Sequence, residues 1–209
     1  MPGDFYYLIK PHLSYKITKV LLHFSELITK GNFLNNFGNR VYAFIDSQNL
    51  NLGTKKDLRD DKGNIYYHGW ELSFKKFYFY IKTKLNVSKA YLFIGKIPKY
   101  QRLYNYLSSI GYILIFKPTI THTNSNGKSE TKGNVDAELV LHTMLEKENY
   151  DKAVIVSGDG DYACLLEHLD FIGKLHRVVI PNKFSYSQLL NPYQKYFLFV
   201  TDLKTSLIK

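Results

Sequence analysis

Four aspartates stand at points where a predicted strand gives way to a turn or a helix. Asp46 directly follows the apolar run V-Y-A-F-I, and Asp159 and Asp161 follow A-V-I-V within a few residues. Asp136 begins a predicted helix after a long polar segment. Carboxylates gathered at one place repel one another unless a cation compensates them. Their hard oxygens suit Mg²⁺ or Mn²⁺, and a metal so held can activate water and stabilise charge on a phosphodiester.

Apolar runs that alternate with helical segments predict an α/β fold with a parallel sheet. Runs such as A-V-I-V lack polar alternation, as expected of strands covered on both faces. Parallel sheets place ligand sites beyond the carboxyl ends of their strands. We therefore expect the strand ends near Asp46 and Asp159 to lie side by side, with residues 117–133 as a mobile or substrate-ordered polar loop beside them. The predicted strands span 41–45, 90–94, 112–116, 153–156 and 176–180, with an edge strand over 196–200.

Each acid also has a purely structural explanation. Asp46 suits a cap between strand and helix, and Asp159 and Asp161 suit a turn followed by a helix N-cap. Asp136 suits the first turn of a helix, where the helix dipole favours negative charge. The joint pattern favours a cation site, because three separate segments deliver acids to one predicted edge of an otherwise basic chain.

Composition limits the class of protein and of partner. The chain has 209 residues, the length of one domain with an extension, and a net charge of +10. Such an excess favours a nucleic-acid partner, the alternative being charge spread over the surface for solubility. The sequence shows no secretory signal and no apolar run near the roughly 20 residues of a membrane span. The single cysteine, Cys164, excludes a disulfide within the chain. We expect a cytoplasmic protein, with Cys164 buried.

Three sequence blocks together resemble the NYN-domain family of the PIN-like nuclease superfamily. The blocks are F-I-D-S-Q-N-L (44–50), K-G-N-V-D-A (132–137) and V-S-G-D-G-D-Y (156–162). The resemblance covers about residues 40–204 and implies a PIN-like, Rossmann-like three-layer sandwich around a mainly parallel sheet of about five strands. It separates an N-terminal helical extension (1–39) from an NYN domain (40–209). The implied activity is metal-dependent endonucleolytic cleavage of RNA, and the alternative is a non-catalytic RNA-binding module that keeps the fold.

The resemblance also assigns the candidate catalytic and metal-binding residues. It implies that Asp46, Asp136, Asp159 and Asp161 hold Mg²⁺ or Mn²⁺. Many relatives carry a further acid six residues after the central one, but this chain has His142 there. A neutral histidine binds Mn²⁺ or Zn²⁺ better than Mg²⁺. His142 is therefore either a departure that alters the metal site or an ordinary helix residue.

Polar and basic residues around the same edge are the candidates for contacts with RNA. By resemblance, Asn49 holds the metal shell or a substrate phosphate, Ser157 precedes the acidic pair, and Lys132 lies at the entry to the site. Lysine and arginine contacts with phosphate give salt-dependent binding, and Tyr100 and Tyr104 are candidates for base stacking. Four more basic residues are predicted near the strand ends, namely Lys55, Lys56, Lys96 and Arg102.

Other phosphotransfer folds fit the pattern less well. A Toprim site would have Glu at the end of the first strand, and a haloacid-dehalogenase site would have D-x-D there, whereas this chain has Asp46 in D-S-Q. No G-x-G-x-x-G follows the first strand, which disfavours a dinucleotide-binding fold.

The region before the predicted domain contains an amphipathic helix. Apolar residues recur at three- and four-residue spacing between Leu13 and Lys30, the spacing of one helix face. We expect this helix to pack on the main domain, and the alternative is that it contacts a second copy of the chain or a partner protein.

Overall fold

In a computed structural model of the protein, the described residues include a parallel sheet of six strands. The structure describes residues 40–118, 120–123, 129–132 and 135–209. The helix predicted between Leu13 and Lys30, and any contact it makes, lie outside these residues. Ten strands are described: β1 (Val41–Asp46), β2 (Leu58–Arg59), β3 (Ile65–Tyr67), β4 (Val87–Lys96), β5 (Ile113–Pro118), β6 (Ile120–Thr123), β7 (Ser129–Lys132), β8 (Lys152–Val156), β9 (Leu175–Ile180) and β10 (Phe197–Phe199).

Helices connect these strands and flank the sheet. The described α-helices are α1 (Ser47–Lys55), α2 (Phe74–Lys84), α3 (Gln101–Ile110), α4 (Asp136–Leu145), α5 (Ala163–Phe171) and α6 (Lys204–Leu207). Short 3-10 segments cover Pro98–Tyr100, Gly160–Tyr162, Gln188–Tyr196 and Val200–Leu203. Among the described helices, none is long and apolar enough to cross a membrane.

The strand order is β10-β9-β8-β1-β4-β5, and every neighbouring pair is parallel. This confirms the predicted α/β fold, with six strands rather than about five because the edge strand β10 completes the sheet. β1 lies in the middle and pairs with β8, so that Ile45 is opposite Val156. The two strand ends that precede the acids are therefore side by side, as predicted.

The sheet is buried on both faces because its central strands alternate between two apolar cores. In β1, Ala43 and Ile45 join the core under α2 and α3, whereas Tyr42 and Phe44 join the core under α4 and α5. All six residues of β1 are buried. Burying one large apolar side chain contributes about 1.5–3 kcal/mol, so this strand is a rigid support for the aspartate at its end.

Two expectations from the sequence were wrong. Within the predicted loop 117–133, β5 runs to Pro118, and β6 and β7 form an antiparallel pair in which Thr121 faces Thr131. β-branched residues such as these two threonines favour such pairing. Cys164 is exposed on α5, because Leu165, Leu166 and Leu169 occupy the positions of that helix that face the core.

Candidate active site

A cavity of about 560 Å³ opens at the carboxyl edge of the sheet, where β1 and β8 end. Three of the four predicted acids, Asp46, Asp136 and Asp159, line it. Lys56 from the end of α1 and Asn182 from the segment after β9 line the same cavity. The topology therefore brings together side chains that are far apart in the chain, as the rule for parallel sheets requires.

Asp46 is both a helix cap and a wall of the cavity. It ends β1 and precedes α1, and its Oδ1 accepts a hydrogen bond of 2.9 Å from the Asn49 backbone N–H. Only 5% of the residue is exposed. Burial raises the pKa of Asp46, although the backbone hydrogen bond from Asn49 opposes the rise. The cap predicted as the structural alternative is therefore present, and the carboxylate still reaches the cavity.

The turn after β8 is held by its own side chains. Ser157 is buried, and its Oγ accepts a 3.1 Å hydrogen bond from the Asp159 N–H. Asp159 in turn accepts a 3.1 Å hydrogen bond at Oδ1 from the Asp161 N–H. Gly160 fits between them because a Cβ there would lie 2.3 Å from the Oγ of Ser187, closer than any stable contact. The S-G-D-G-D sequence thus fixes where its two acids stand.

Asn49 joins α1 to this turn. Its Oδ1 accepts a 2.8 Å hydrogen bond from the N–H of Gly158, which is a buried residue. The amide oxygen is therefore engaged with the backbone across 109 residues of sequence. In this structure Asn49 positions the acid-bearing turn against the end of β1.

Three acids lie close enough to share a cation. Asp136, Asp159 and Asp161 each offer a carboxylate oxygen, and these oxygens all lie within 4.8 Å of one another. Asp136 and Asp159 are half-buried, and Asp161 is exposed. Such hard oxygen donors at a cavity wall fit Mg²⁺ or Mn²⁺. Asp46 stands outside this group of three and is connected to it by one tyrosine.

Tyr162 makes that connection, and the sequence analysis missed it. Its hydroxyl lies 2.5 Å from Oδ1 of Asp136 and 3.2 Å from Oδ2 of Asp46. Burial, together with the two carboxylates, raises the pKa of Tyr162 well above its ordinary value. The hydroxyl therefore stays protonated, but its one proton serves only one carboxylate at a time. The available signal was the position of Tyr162, directly after the D-G-D sequence.

The predicted basic residues divide into those at the cavity and those away from it. Lys56 lines the cavity, and Lys55 is exposed beside it in the last turn of α1. Lys132 lies in β7. Lys96 places its Nζ 6.0 Å from the ring centre of Phe116, and the exposed Arg102 belongs to α3; neither of these two lines the acidic cavity.

Two residues that the sequence offered for base stacking or for the metal site, Tyr104 and His142, pack within the protein instead. Tyr104 is buried, and its hydroxyl accepts a hydrogen bond from the Ile97 N–H and donates one to the Gly95 carbonyl, each of 2.8 Å. Base stacking by Tyr104 is therefore wrong. His142 packs its ring edge-on against Phe93, with ring centres 5.7 Å apart. This contact fits the alternative in which His142 is an ordinary helix residue.

An ion pair beside the site was also not foreseen. Lys117 at the end of β5 donates a 2.9 Å hydrogen bond to Glu138 in the first turn of α4. Burial opposes ionisation of Glu138, but the hydrogen bond from Lys117 lowers the pKa of Glu138 overall. The ammonium of Lys117 is thus engaged with a carboxylate.

A family model of the NYN domain matches residues 40–200 of the chain. The chain therefore belongs to the NYN domain family. The low amplitude and bright protein LabA of Synechococcus elongatus is 30% identical over 136 residues, which cover 62% of this chain and 67% of LabA. A solved structure of a Vibrio parahaemolyticus protein of unknown function is similar with a TM-score of 0.61 and 20% identity, covering 85% of this chain and 100% of that one. Because the two sequences are only 20% identical, the similarity to the Vibrio structure is evidence for the fold of this NYN protein and for nothing further.

Proposed function

We propose that this NYN protein is a divalent-metal-dependent endoribonuclease. The observation that carries the proposal is the group of carboxylate oxygens of Asp136, Asp159 and Asp161, all within 4.8 Å of one another. They stand at the carboxyl edge of a parallel sheet, where such folds bind ligands. The net charge of +10 supports a polyanionic substrate.

The donor set fits Mg²⁺ or Mn²⁺ and supplies the chemistry that RNA hydrolysis needs. Asp136, Asp159 and Asp161 would hold the ion, and the buried Asp46 is connected to Asp136 through the hydroxyl of Tyr162. A bound ion of this kind lowers the pKa of water and stabilises charge on phosphate oxygens. In such a hydrolysis the water oxygen would bond to phosphorus and its proton would pass to solvent, while one P–O bond of the chain would break and the leaving oxygen would take up a proton from solvent. The products are one fragment that ends in phosphate and one that ends in a hydroxyl.

The other residues of the site serve that reaction by position and charge. Asn49 and Ser157 keep the acid-bearing turn in place through hydrogen bonds to its backbone. Lys56 faces the cavity and is the candidate for a phosphate contact, with Lys55 next to it. The exposed Lys96 and Arg102 are further candidates for contacts with the flanking RNA, and Lys132 of β7 stays a candidate by its position in the sequence. We place the activity in the cytoplasm, because a chain with one cysteine forms no internal disulfide and suits a reducing compartment that also contains RNA.

A cleavage assay with a matched charge control tests the proposal. Wild type and Asp159→Asn are incubated with single-stranded RNA in Mg²⁺ or in Mn²⁺. We expect the variant to lose cleavage activity, because asparagine has nearly the same size and shape as aspartate but lacks the charge that binds the metal. Glu148→Gln removes one negative charge at a side chain that is 85% exposed, and we expect it to cleave like the wild type. Equal cleavage by wild type and Asp159→Asn would contradict the assignment.

The second candidate function is a non-catalytic RNA-binding module that retains the fold. The observation in its favour is His142, which occupies the position where many relatives have a further acid and packs against Phe93. Binding of labelled RNA, measured in the presence of a chelator, separates the two functions. If the wild type and Asp159→Asn both bind RNA and neither cleaves it in either metal, the binding module is correct. His142→Asp should raise Mg²⁺-supported cleavage relative to Mn²⁺ if position 142 limits the site.

A further inference from the structure

A second cavity of about 420 Å³ lies beside the acidic one, also at the carboxyl edge of the sheet. It opens between α1, the end of β4 and α3. Its walls include three exposed apolar side chains of α3 and the segment before it: Tyr100, Leu103 and Tyr106, which are 42%, 41% and 48% exposed. Exposed aromatic side chains in a concave site are typical of ligand binding rather than of core packing.

The two cavities share a wall. Gln48 lines both, and its neighbours in the chain divide between them, since Asp46 lines the acidic cavity and Ser47 lines the second one. Consecutive Cα atoms are only about 3.8 Å apart. The two cavities therefore adjoin at the first turn of α1, so that one RNA strand can contact both.

The second cavity has a fixed wall at the end of β4. The buried Tyr104 bridges the Gly95 carbonyl and the Ile97 N–H with its hydroxyl, and Gly95, Ile97 and Tyr104 all line the cavity. Phe116 packs edge-on against Tyr104, with ring centres 4.9 Å apart. The wall is thus formed before any ligand arrives, which lowers the entropic cost of binding.

Its polar groups are neutral or already paired. Lys209 and Glu71 line the cavity and form an ion pair of 2.8 Å with each other. The side-chain amides of Gln48 and Asn51 also line it, and neither makes a hydrogen bond to another of the described residues. An amide offers both donors and an acceptor. A flat, uncharged ring with donors and acceptors on its edge suits these walls, whereas a phosphate does not.

We propose that the second cavity seats one unpaired base of the RNA strand whose backbone crosses the acidic cavity. The proposal rests on the proposed function, because the acidic cavity must hold the RNA backbone. The exposed rings of Tyr100 and Tyr106 are the candidates for stacking, with the Nζ of Lys99 over one face of Tyr100 at 5.1 Å from its ring centre. The side-chain amides of Gln48 and Asn51 are the candidates for contacts with the base edge. A cavity of this volume falls within the range of small-ligand sites, about 300–1,000 Å³. The substrate class is therefore RNA that is single-stranded at the cleaved bond, because a paired base is not free to leave its stack.

Binding of short RNAs to the full chain tests whether the second cavity holds a base. A chelator is present so that no cleavage occurs during the measurement. The probes are a labelled single strand, the same strand with one abasic position moved stepwise along it, and its duplex. The variants are Tyr100→Ala and Tyr106→Ala, with Tyr106→Phe to retain the ring. Phe79→Ala is the control, because Phe79 is 51% exposed on α2 and lines neither cavity.

We expect each tyrosine-to-alanine change to weaken single-strand binding by about tenfold, the usual size of a base–aromatic contact. Tyr106→Phe and Phe79→Ala should bind like the wild type. One abasic position should weaken wild-type binding to a similar extent and should have no further effect on Tyr106→Ala, because both changes remove the same contact. Duplex binding should not respond to Tyr106→Ala.

The failures of the two proposals are distinguishable. If Tyr100→Ala and Tyr106→Ala bind the single strand as tightly as Phe79→Ala, and no abasic position matters, the base seat is wrong. Cleavage that still depends on Asp159 would then leave the nuclease proposal standing. If the wild type binds no RNA at all, both proposals are overturned together.

Discussion

Replacing Asn49 by alanine tests whether this residue positions the acid-bearing turn. The change removes the 2.8 Å hydrogen bond that the Gly158 N–H donates to Asn49, and the backbone N–H of residue 49 still donates to the capping carboxylate of Asp46. Leaving a buried donor unpaired costs about 1–3 kcal/mol. For a chain of this size, a loss of about 2 kcal/mol lowers the Tm by roughly 4–8 °C.

The matched control for this change is Asn51→Ala, on the same helix. Asn51 is half-buried, and its side chain makes no hydrogen bond to another described residue. Both substitutions gain the same helix propensity, so that any difference between them reports the contact with Gly158. Asn49→Asp is a second comparison, because its carboxylate oxygen can still accept the Gly158 hydrogen bond. It also adds a negative charge to the cavity that Asp46, Asp136 and Asp159 line, so its Tm should recover only when a divalent cation is added.

The assay has two readouts, thermal unfolding in a chelator and binding of Mn²⁺ by calorimetry. We expect Asn49→Ala to lose both stability and Mn²⁺ affinity, because the loosened turn carries Asp159 and Asp161. Asn51→Ala should keep both. An Asn49→Ala protein with the Tm and the Mn²⁺ affinity of Asn51→Ala would refute the positioning role and would leave only a contact with phosphate for Asn49.

Three further predictions concern the charges of the site. Tyr162→Phe keeps the buried ring but removes the hydroxyl shared by two carboxylates; urea unfolding in a chelator should show a loss of about 1.5–3 kcal/mol, the usual value for a hydrogen bond to a charged group. Burial raises the pKa of Asp46, so its contribution to the free energy of unfolding is fully present below the unfolded pKa and is lost as pH rises through the folded pKa. Asp46→Asn should therefore be more stable than the wild type at neutral pH in a chelator, with a difference that disappears on acidification. Lys55→Ala combined with Lys56→Ala should weaken RNA binding and lower the slope of log affinity against log salt by about 1–2, while Mn²⁺ affinity stays unchanged.

The central sheet was predictable because burial on both faces leaves a strong trace in the sequence. β1 and β8 appear as uninterrupted apolar runs, and the acids at their ends mark where the runs stop. The β6–β7 pair left a weaker trace, since its strands are short and rich in polar residues. Thr121 and Thr131 favour strands, but only the partner strand decides whether such a segment pairs or remains a loop.

The site was predictable in its acids but not in the contacts that hold them. The rule for parallel sheets brings Asp46 and Asp159 to one edge once the strand order is right. The bridge from Tyr162 to Asp46 joins residues 116 apart in sequence, and it depends on side-chain direction within a 3-10 turn. The pairing of Lys117 with Glu138 depends in the same way on where α4 begins relative to β5. Periodicity carries no information about such contacts.

Under the proposed function, a basic chain with an acidic centre separates the binding of RNA from its cleavage. Lys55 and Lys56 attract phosphate over a range set by salt, whereas the carboxylates of Asp136, Asp159 and Asp161 repel it at short range. A divalent cation held by those carboxylates would make the local electrostatic potential positive where the RNA backbone approaches them. Salt should therefore control how much RNA arrives, and the metal should control whether the bond is cut. Asp159→Asn should bind RNA in a chelator at least as tightly as the wild type, because the substitution removes a repelling charge and no attracting one.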